Sequence, residues 1–232
     1  MRAGAFLQDM TWNEAEARFR SGVVVVPVGA AAKEHGPHLP LDTDYRTAAE
    51  LGRRIAERLP VVVAPVIGFG FYPAFTAFPG SQHLTRATFQ ALVRELLGNL
   101  IDHGVTRIAI VNTGVSTEKP LDEVVAGIDK ARIVQIDLRL LGRDADRLLQ
   151  QLGGGHADER ETSVMLAIAP EAVRMALAPG QAEGDGLSAD GVTGNPSLAT
   201  RAKGEAILDA TMRDLTAALT RHFPELEADA GG

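Results

Sequence analysis

The sequence predicts an α/β fold with three layers, α/β/α, around a mainly parallel central sheet. Three observations predict it. Four short β-branched runs alternate with segments of helical periodicity, as parallel βαβ units require. The first run, 22–29, is nearly continuous Val rather than alternating, which suits a strand covered on both faces. The 232 residues, 45% hydrophobic, carry no internal repeat, low-complexity segment or linker. One domain over 1–232 is therefore expected, with a core that buries about 70–75% of the unfolded surface.

Taken in order, Thr11 followed by Glu14 fits a capping box that opens a short first helix. The valine strand comes next, and Leu51, Ile55 and Leu59 then recur every four residues through 46–59, the mark of a one-faced helix. A second strand is read at 60–67. From Thr85, the residues Phe89, Leu92, Val93, Leu96, Leu97, Leu100 and Ile101 trace one apolar helical stripe. Gly104 stands where a helix C-terminus takes a left-handed residue. A third strand spans 107–112, and Pro120 is read as opening the next helix, with Leu121, Val124, Val125 and Ile128 on its face. A fourth strand covers 131–138. A helix is expected from about Glu161 to Ala169, a long loop over 179–199, a last helix carrying Leu208, Met212, Leu215 and Leu219, and a loose tail at 228–232.

Composition excludes several partners. A net charge of −7 argues against nucleic acid and anionic membranes, both of which call for a basic face. The longest apolar runs fall far short of the ~20 residues of a membrane helix. Cysteine is absent, which removes disulfides, thiolate metal sites and a Cys nucleophile. With no apolar leader, this points to a cytoplasmic protein.

In such sheets, ligands bind beyond the carboxyl ends of the strands. The loop leaving the first strand there, 33–44, holds Glu34, His35, His38, Asp42 and Asp44 among Gly and Pro. These are hard to borderline metal donors on an irregular backbone. A catalytic ion needs about three protein ligands and an open position for water. His35 and Asp44 are close enough in the chain to meet at one ion. The alternative is that the Asp residues cap the following helix, the favoured reading for Asp42 and an equal one for Asp44. A second cluster follows Gly153-Gly154-Gly155, with His156 on a sharply turned backbone and Glu161 at a helix start, where a carboxylate also suits the helix dipole.

These residues carry a specific resemblance. Pro27-x-Gly29, His35-Gly36-Pro37-His38-Leu39-Pro40 with Asp44, Phe78-Pro79-Gly80-Ser81, Asn112, and His156-Ala157-x-x-x-Glu161-Thr162-Ser163 all fit one pattern. So do Gly191-Val192-x-Gly194-x-Pro196 and Ala199-Thr200-x-x-Lys203-Gly204. The chain resembles the creatininase (creatinine amidohydrolase) family over nearly its whole length. The resemblance implies a creatininase-like α/β/α hydrolase acting on non-peptide C–N bonds of a small polar substrate (amide, lactam or cyclic amide), commonly a homo-oligomer and often a hexamer. It implies a divalent metal (zinc first, manganese or iron otherwise) with His35, Asp44, Glu161 and Glu34 as ligands, and with His156 as the catalytic proton carrier.

Two departures from the family pattern matter. The family loop places Glu two residues before the ligand His, whereas here Lys33 stands there and Glu34 adjoins His35. Glu34 reaches an ion only if the loop bulges or turns, because adjacent side chains of an extended segment point oppositely. The family's second metal-binding His corresponds to Gly114, and an acidic residue two positions later to Ser116. One ion is therefore expected rather than two, and creatinine itself is not the expected substrate. His38 or His83 could stand in for the missing His, although His83 also reads as a loop residue bonded to backbone. Ser116, Thr117 and Tyr72 are candidate substrate contacts, and the aromatic loop with Phe71 and Phe75 lines either the pocket or an oligomer contact. His103 and His222 read as surface residues. The hydroxyl-rich 113–117 turn leaves open a C–C, ester or lactone bond in a polyol-like substrate. A metal-poor member that binds a small molecule or serves as a structural subunit is the remaining alternative.

Overall fold

Five parallel strands form the sheet, in the order β1-β3-β2-β4-β5. They are β1 (Ala5–Phe6), β2 (Val24–Val28), β3 (Val62–Val63), β4 (Arg107–Asn112) and β5 (Arg132–Asp137). The structure is a computed structural model and describes residues 4–20, 22–184 and 186–228. Its helices are α1 (Trp12–Phe19), α2 (Thr43–Arg58), α3 (Arg86–Asp102), α4 (Val115–Val125), α5 (Glu159–Ile168), α6 (Arg201–His222) and the short α7 (Glu225–Ala228).

The unbroken valine of β2 has the consequence its composition predicts. Every residue of the strand is buried, because alternate side chains enter two different cores. Val25, with Val63 and Val111, packs against Leu51 and Ile55 of α2 and Ile207, Leu215 and Leu219 of α6. Val24 and Val26, with Ile110, face Phe19 of α1, Phe89, Val93 and Leu97 of α3, and Leu121 and Val124 of α4. Helices on both faces of one sheet make the three layers.

Local signals set several boundaries. The Glu14 carboxylate accepts from the Thr11 backbone N–H at 2.7 Å, the return half of the capping box. Thr85 caps α3 by accepting from the Thr88 N–H. Other boundaries differ from expectation. β3 is only two residues long because Pro60 and Pro65 flank it and cannot donate to a ladder; the remainder survives as a single bridge between Val28 and Ile67. β1 is too short to show a periodicity and was not expected. α4 begins at Val115 and takes Pro120 into its interior rather than opening on it. The reason lies upstream. The Asn112 amide and carbonyl hold Gly114 from both sides, and the Thr117 hydroxyl closes on the Asn112 Oδ1, so the helix starts one turn early. α5 starts at Glu159 because Asp158 is its cap, accepting from the Glu161 N–H at 3.0 Å. Of the expected loose tail, residues 229–232 lie outside the described residues.

α5 and α6 cross at Gly204. A Cβ there would fall 1.8 Å from the Ser163 carbonyl oxygen, so only hydrogen fits. Gly204→Ala is expected to destabilise the fold by about 2 kcal/mol or more through overpacking. An unchanged urea midpoint would show that the two helices do not meet so closely.

Candidate active site

The site lies at the carboxyl edge of the sheet, where β2 ends and α2 begins. Between them the chain forms no regular structure from 29 to 42, and this irregular path turns three consecutive charged or titratable side chains inward. Lys33, Glu34 and His35 are all buried. The required turn is present, for Glu34 and His35 both face His156. The Glu34 Oε2 lies 3.1 Å from the His156 Nε2, and the His35 and His156 rings are 4.9 Å apart between centroids.

Asp44 sits in the first turn of α2 rather than at its cap, and its carboxylate points back under the loop. The Lys33 Nζ is 2.6 Å from the Asp44 Oδ2, while the Asp44 Oδ1 lies 3.1 Å from the His35 Nε2. The contact with Lys33 is an ion pair without hydrogen-bond alignment, which leaves Oδ2 compensated in charge but with no hydrogen bond. Burial opposes ionisation of Asp44, yet the Lys33 ammonium and the His35 imidazole together hold its carboxyl well below the ordinary carboxylate range. Asp42 occupies the position before α2, but its carboxylate pairs with Arg46 at 2.7 Å rather than capping the helix.

The proton accounting at His35 is informative. Its Nδ1 is 2.9 Å from the Lys33 carbonyl oxygen, which can only accept, so Nδ1 carries the hydrogen. Nε2 then presents a lone pair to the Asp44 Oδ1. Two lone-pair atoms facing each other in a buried site need a cation, either a proton or a metal. An Nδ1–H anchored on a backbone carbonyl is also how metal-bound histidines aim Nε2 at their ion.

His156 arrives from the loop before α5. The residue after it, Ala157, has φ +47°, a left-handed conformation uncommon outside glycine. Complete burial of Ala157 against Leu39, Met165 and Val192 holds it there. So does its N–H, donated to the Glu161 Oε2 at 2.6 Å. One donor atom from each of His35, His156 and Glu161 lies within 4.8 Å of the others, the only such group of three among the described residues. Glu161 is its open side, with its side chain about 30% exposed. Gly191 closes the back. With φ +74°, its backbone passes so near Glu34 that a Cβ would meet Oε1 at 2.1 Å. This donor set fits a divalent ion.

The expected substrate contacts fare differently. The Tyr72 hydroxyl donates to the Gln82 carbonyl oxygen, and burial together with the Asp44 charge pushes it up to about 12. The Thr117 hydroxyl donates within its own turn, to the Asn112 Oδ1 and the Gly114 carbonyl oxygen. Both hydroxyls thus have internal acceptors, and both residues border the small cavity beside Asp44. His38 is fully buried with Nε2 2.7 Å from the Thr162 Oγ1, and His83 is exposed with its ring 6.2 Å from that of Tyr72. Neither belongs to the group of donor atoms formed by His35, His156 and Glu161. Ser116 borders a small cavity beside Asp44. Phe75 does line the site, its ring 4.4 Å from that of His156 and under the Lys33 ammonium. Lys33 itself escaped the sequence reading as a site residue. Its signal was a lone charge after Gly29-Ala30-Ala31-Ala32, in a stretch otherwise small and apolar.

A three-layer α/β fold with a His–His–carboxylate group, suited to a divalent ion, at its sheet edge is the class that fold and site define. A model of the creatininase family, described as creatinine amidohydrolase, matches residues 8–219, and the chain belongs to that family. It is 26% identical to a creatinine amidohydrolase of Pseudomonas putida over 97% of this chain and 99% of the relative. It is 31% identical to a mycofactocin precursor peptide peptidase of Mycolicibacterium smegmatis, over 88% of this chain and 86% of that one. Among solved structures, a manganese creatininase and a mutant creatininase of zinc–zinc type superpose with TM-scores of 0.86 and 0.85. Each is 26% identical and covers 94% of this chain and 98% of its own.

Burial, reinforced by the charges of His35 and His156 and opposed by Glu34, lowers His38 to about 4. It therefore stays neutral in the fold while the unfolded chain's histidine takes a proton near its ordinary value of about 6.5. The stability this carries is complete above pH 6.5 and is lost as pH falls to about 4. In metal-free protein, the urea midpoint of the wild type is expected to drop more steeply across that window than that of His38→Gln. Parallel curves would contradict the neutral, buried His38.

Proposed function

We propose that this chain is a metal-dependent hydrolase that cleaves a C–N amide bond in a small polar substrate, with one divalent ion (zinc, manganese or iron) at its centre. The convergence of His35, His156 and Glu161, with Glu34 beside them, carries this reading. His35, Asp44, Glu161 and Glu34 would hold the ion. Such an ion supplies Lewis acidity toward a carbonyl oxygen and toward water.

The chain's own residues do the rest. Glu34 accepts from His156 at Nε2, which leaves the lone pair on Nδ1. Nδ1 takes a proton from the attacking water and returns it to the leaving nitrogen. Phe75 packs on the same imidazole and, with buried Lys33, keeps bulk water from that side.

The peptidase at 31% identity favours a second reading, in which the amide is a peptide bond. The polyol-like reading has less support, because the Thr113 and Thr117 hydroxyls are engaged internally and Ser116 is the hydroxyl of that turn left bordering the cavity beside Asp44.

Metal analysis and turnover separate the roles. His35→Ala and Asp44→Ala are expected to lose ion and activity together. His156→Gln is expected to keep the ion and lose about 10²–10⁴ in turnover, the size of a general acid–base contribution. Loss of metal in all three would make His156 a ligand. A wild type that stays metal-free after reconstitution with zinc, manganese and iron would overturn the hydrolase reading. A panel of cyclic amides and short peptides then chooses between the two substrate classes, the first expected to be turned over faster.

A further inference from the structure

We propose that the Lys33 ammonium takes the place of a second divalent cation at Asp44, so that the centre is built for one exchangeable ion and one fixed charge. The proposal rests on the metal-dependent reading above. A carboxylate shared by two cations gives one oxygen to each. In this chain the Asp44 Oδ2 faces the Lys33 Nζ at 2.6 Å, and the Asp44 Oδ1 faces the His35 Nε2 at 3.1 Å. The ammonium is buried, its side chain about 9% exposed, and it lies 5.0 Å from the centre of the Phe75 ring.

The surroundings are divided in the same way. His35, with its Nε2 on the Asp44 Oδ1, belongs to the group that Glu34, His156 and Glu161 complete. At the Asp44 Oδ2, Lys33 and Asp44 together border a cavity of about 20 Å³, large enough for a single water, walled further by Asn112, Gly114, Ser116 and Thr117. Apart from Asp44 itself, the lining of that cavity offers amide, backbone, phenol and hydroxyl groups but no further carboxylate and no imidazole. Nothing there could bind a second ion against the neighbouring ammonium, whereas a related creatininase is known in a zinc–zinc form. A buried Lys–Asp pair is costly to desolvate and is retained only with compensation. Here the compensation is that Asp44 stays charged and in position whether or not the exchangeable ion is bound.

The test is calorimetric titration of metal-free protein with Mn2+, with metal counted after dialysis. The wild type is expected to bind one equivalent. Lys33→Met removes a positive charge beside the ion and frees an Asp44 oxygen, and is expected to bind Mn2+ about tenfold tighter or more. Lys33→Glu is expected to take a second equivalent, and Lys33→Arg to stay at one. If Lys33→Met folds poorly without metal, Mn2+ present during refolding is expected to restore it, since a divalent cation then fills the vacated charge. Two equivalents in the wild type would overturn the proposal and leave the metal-dependent reading standing. None in the wild type would overturn both the metal-dependent reading and the proposal. Unchanged affinity in Lys33→Met with an unchanged count in Lys33→Glu, or no rescue of a misfolded Lys33→Met by Mn2+, would also overturn it.

Discussion

The buried carboxylate of Asp44 is the constraint around which the other parts are arranged. An isolated carboxylate in such surroundings would give up its charge, and this one keeps it because a lysine and a histidine reach it from the preceding loop. That requirement sets the shape of the loop. Lys33 and His35 approach opposite oxygens of one group while Glu34 between them also turns toward His156, which no straight strand achieves. The Lys33 N–H donates to the Leu41 carbonyl oxygen, and the Tyr45 N–H to the Ala30 carbonyl oxygen, so the loop is stitched to itself and to the first turn of α2. Asp44 also lies near the positive end of that helix, where a negative charge is favoured.

Placing the histidine of the second cluster against this centre gives the site its chemical asymmetry. His156 stands between Glu34 and Glu161, its ring against Phe75, so a proton on it has defined neighbours. The relatives include a creatinine amidohydrolase and a peptidase. Both names describe an attack on an amide-type C–N bond, and the substrate differs in what surrounds that bond. The open side of this site is the Glu161 edge.

Much of this was legible in the sequence, for identifiable reasons. β2, α2, α3 and α6 carry long, strongly patterned apolar faces, so tertiary contacts only confirmed what periodicity required. His35, Asp44, His156 and Glu161 were singled out as metal-donor types on Gly- and Pro-bearing loops and by the resemblance to the family, and folding brings His35, His156 and Glu161 together. What could not be read was decided by contacts between distant residues. The Thr117 and Tyr72 hydroxyls looked available for a ligand, but Asn112 and Gln82, brought near by folding, engage them. Pro120 looked like a helix opener, and Asn112 starts that helix earlier. Lys33 looked like a mere departure from the family pattern; its meaning appears only once Asp44 is seen folded beneath it.

The separation in sequence between the two halves of the site has a kinetic consequence. Glu34 meets His156 across 122 positions, and His38 meets Thr162 across 124. The Thr193 hydroxyl and N–H then close on His156 from a third segment. Closing such long loops comes late, after local helices and neighbouring strands have formed. A nascent chain that has completed β2, β3 and β4 would own a sheet but no catalytic centre. On the metal-dependent reading, ion uptake would come late in folding, after the 191–193 segment has closed on His156 and Glu34.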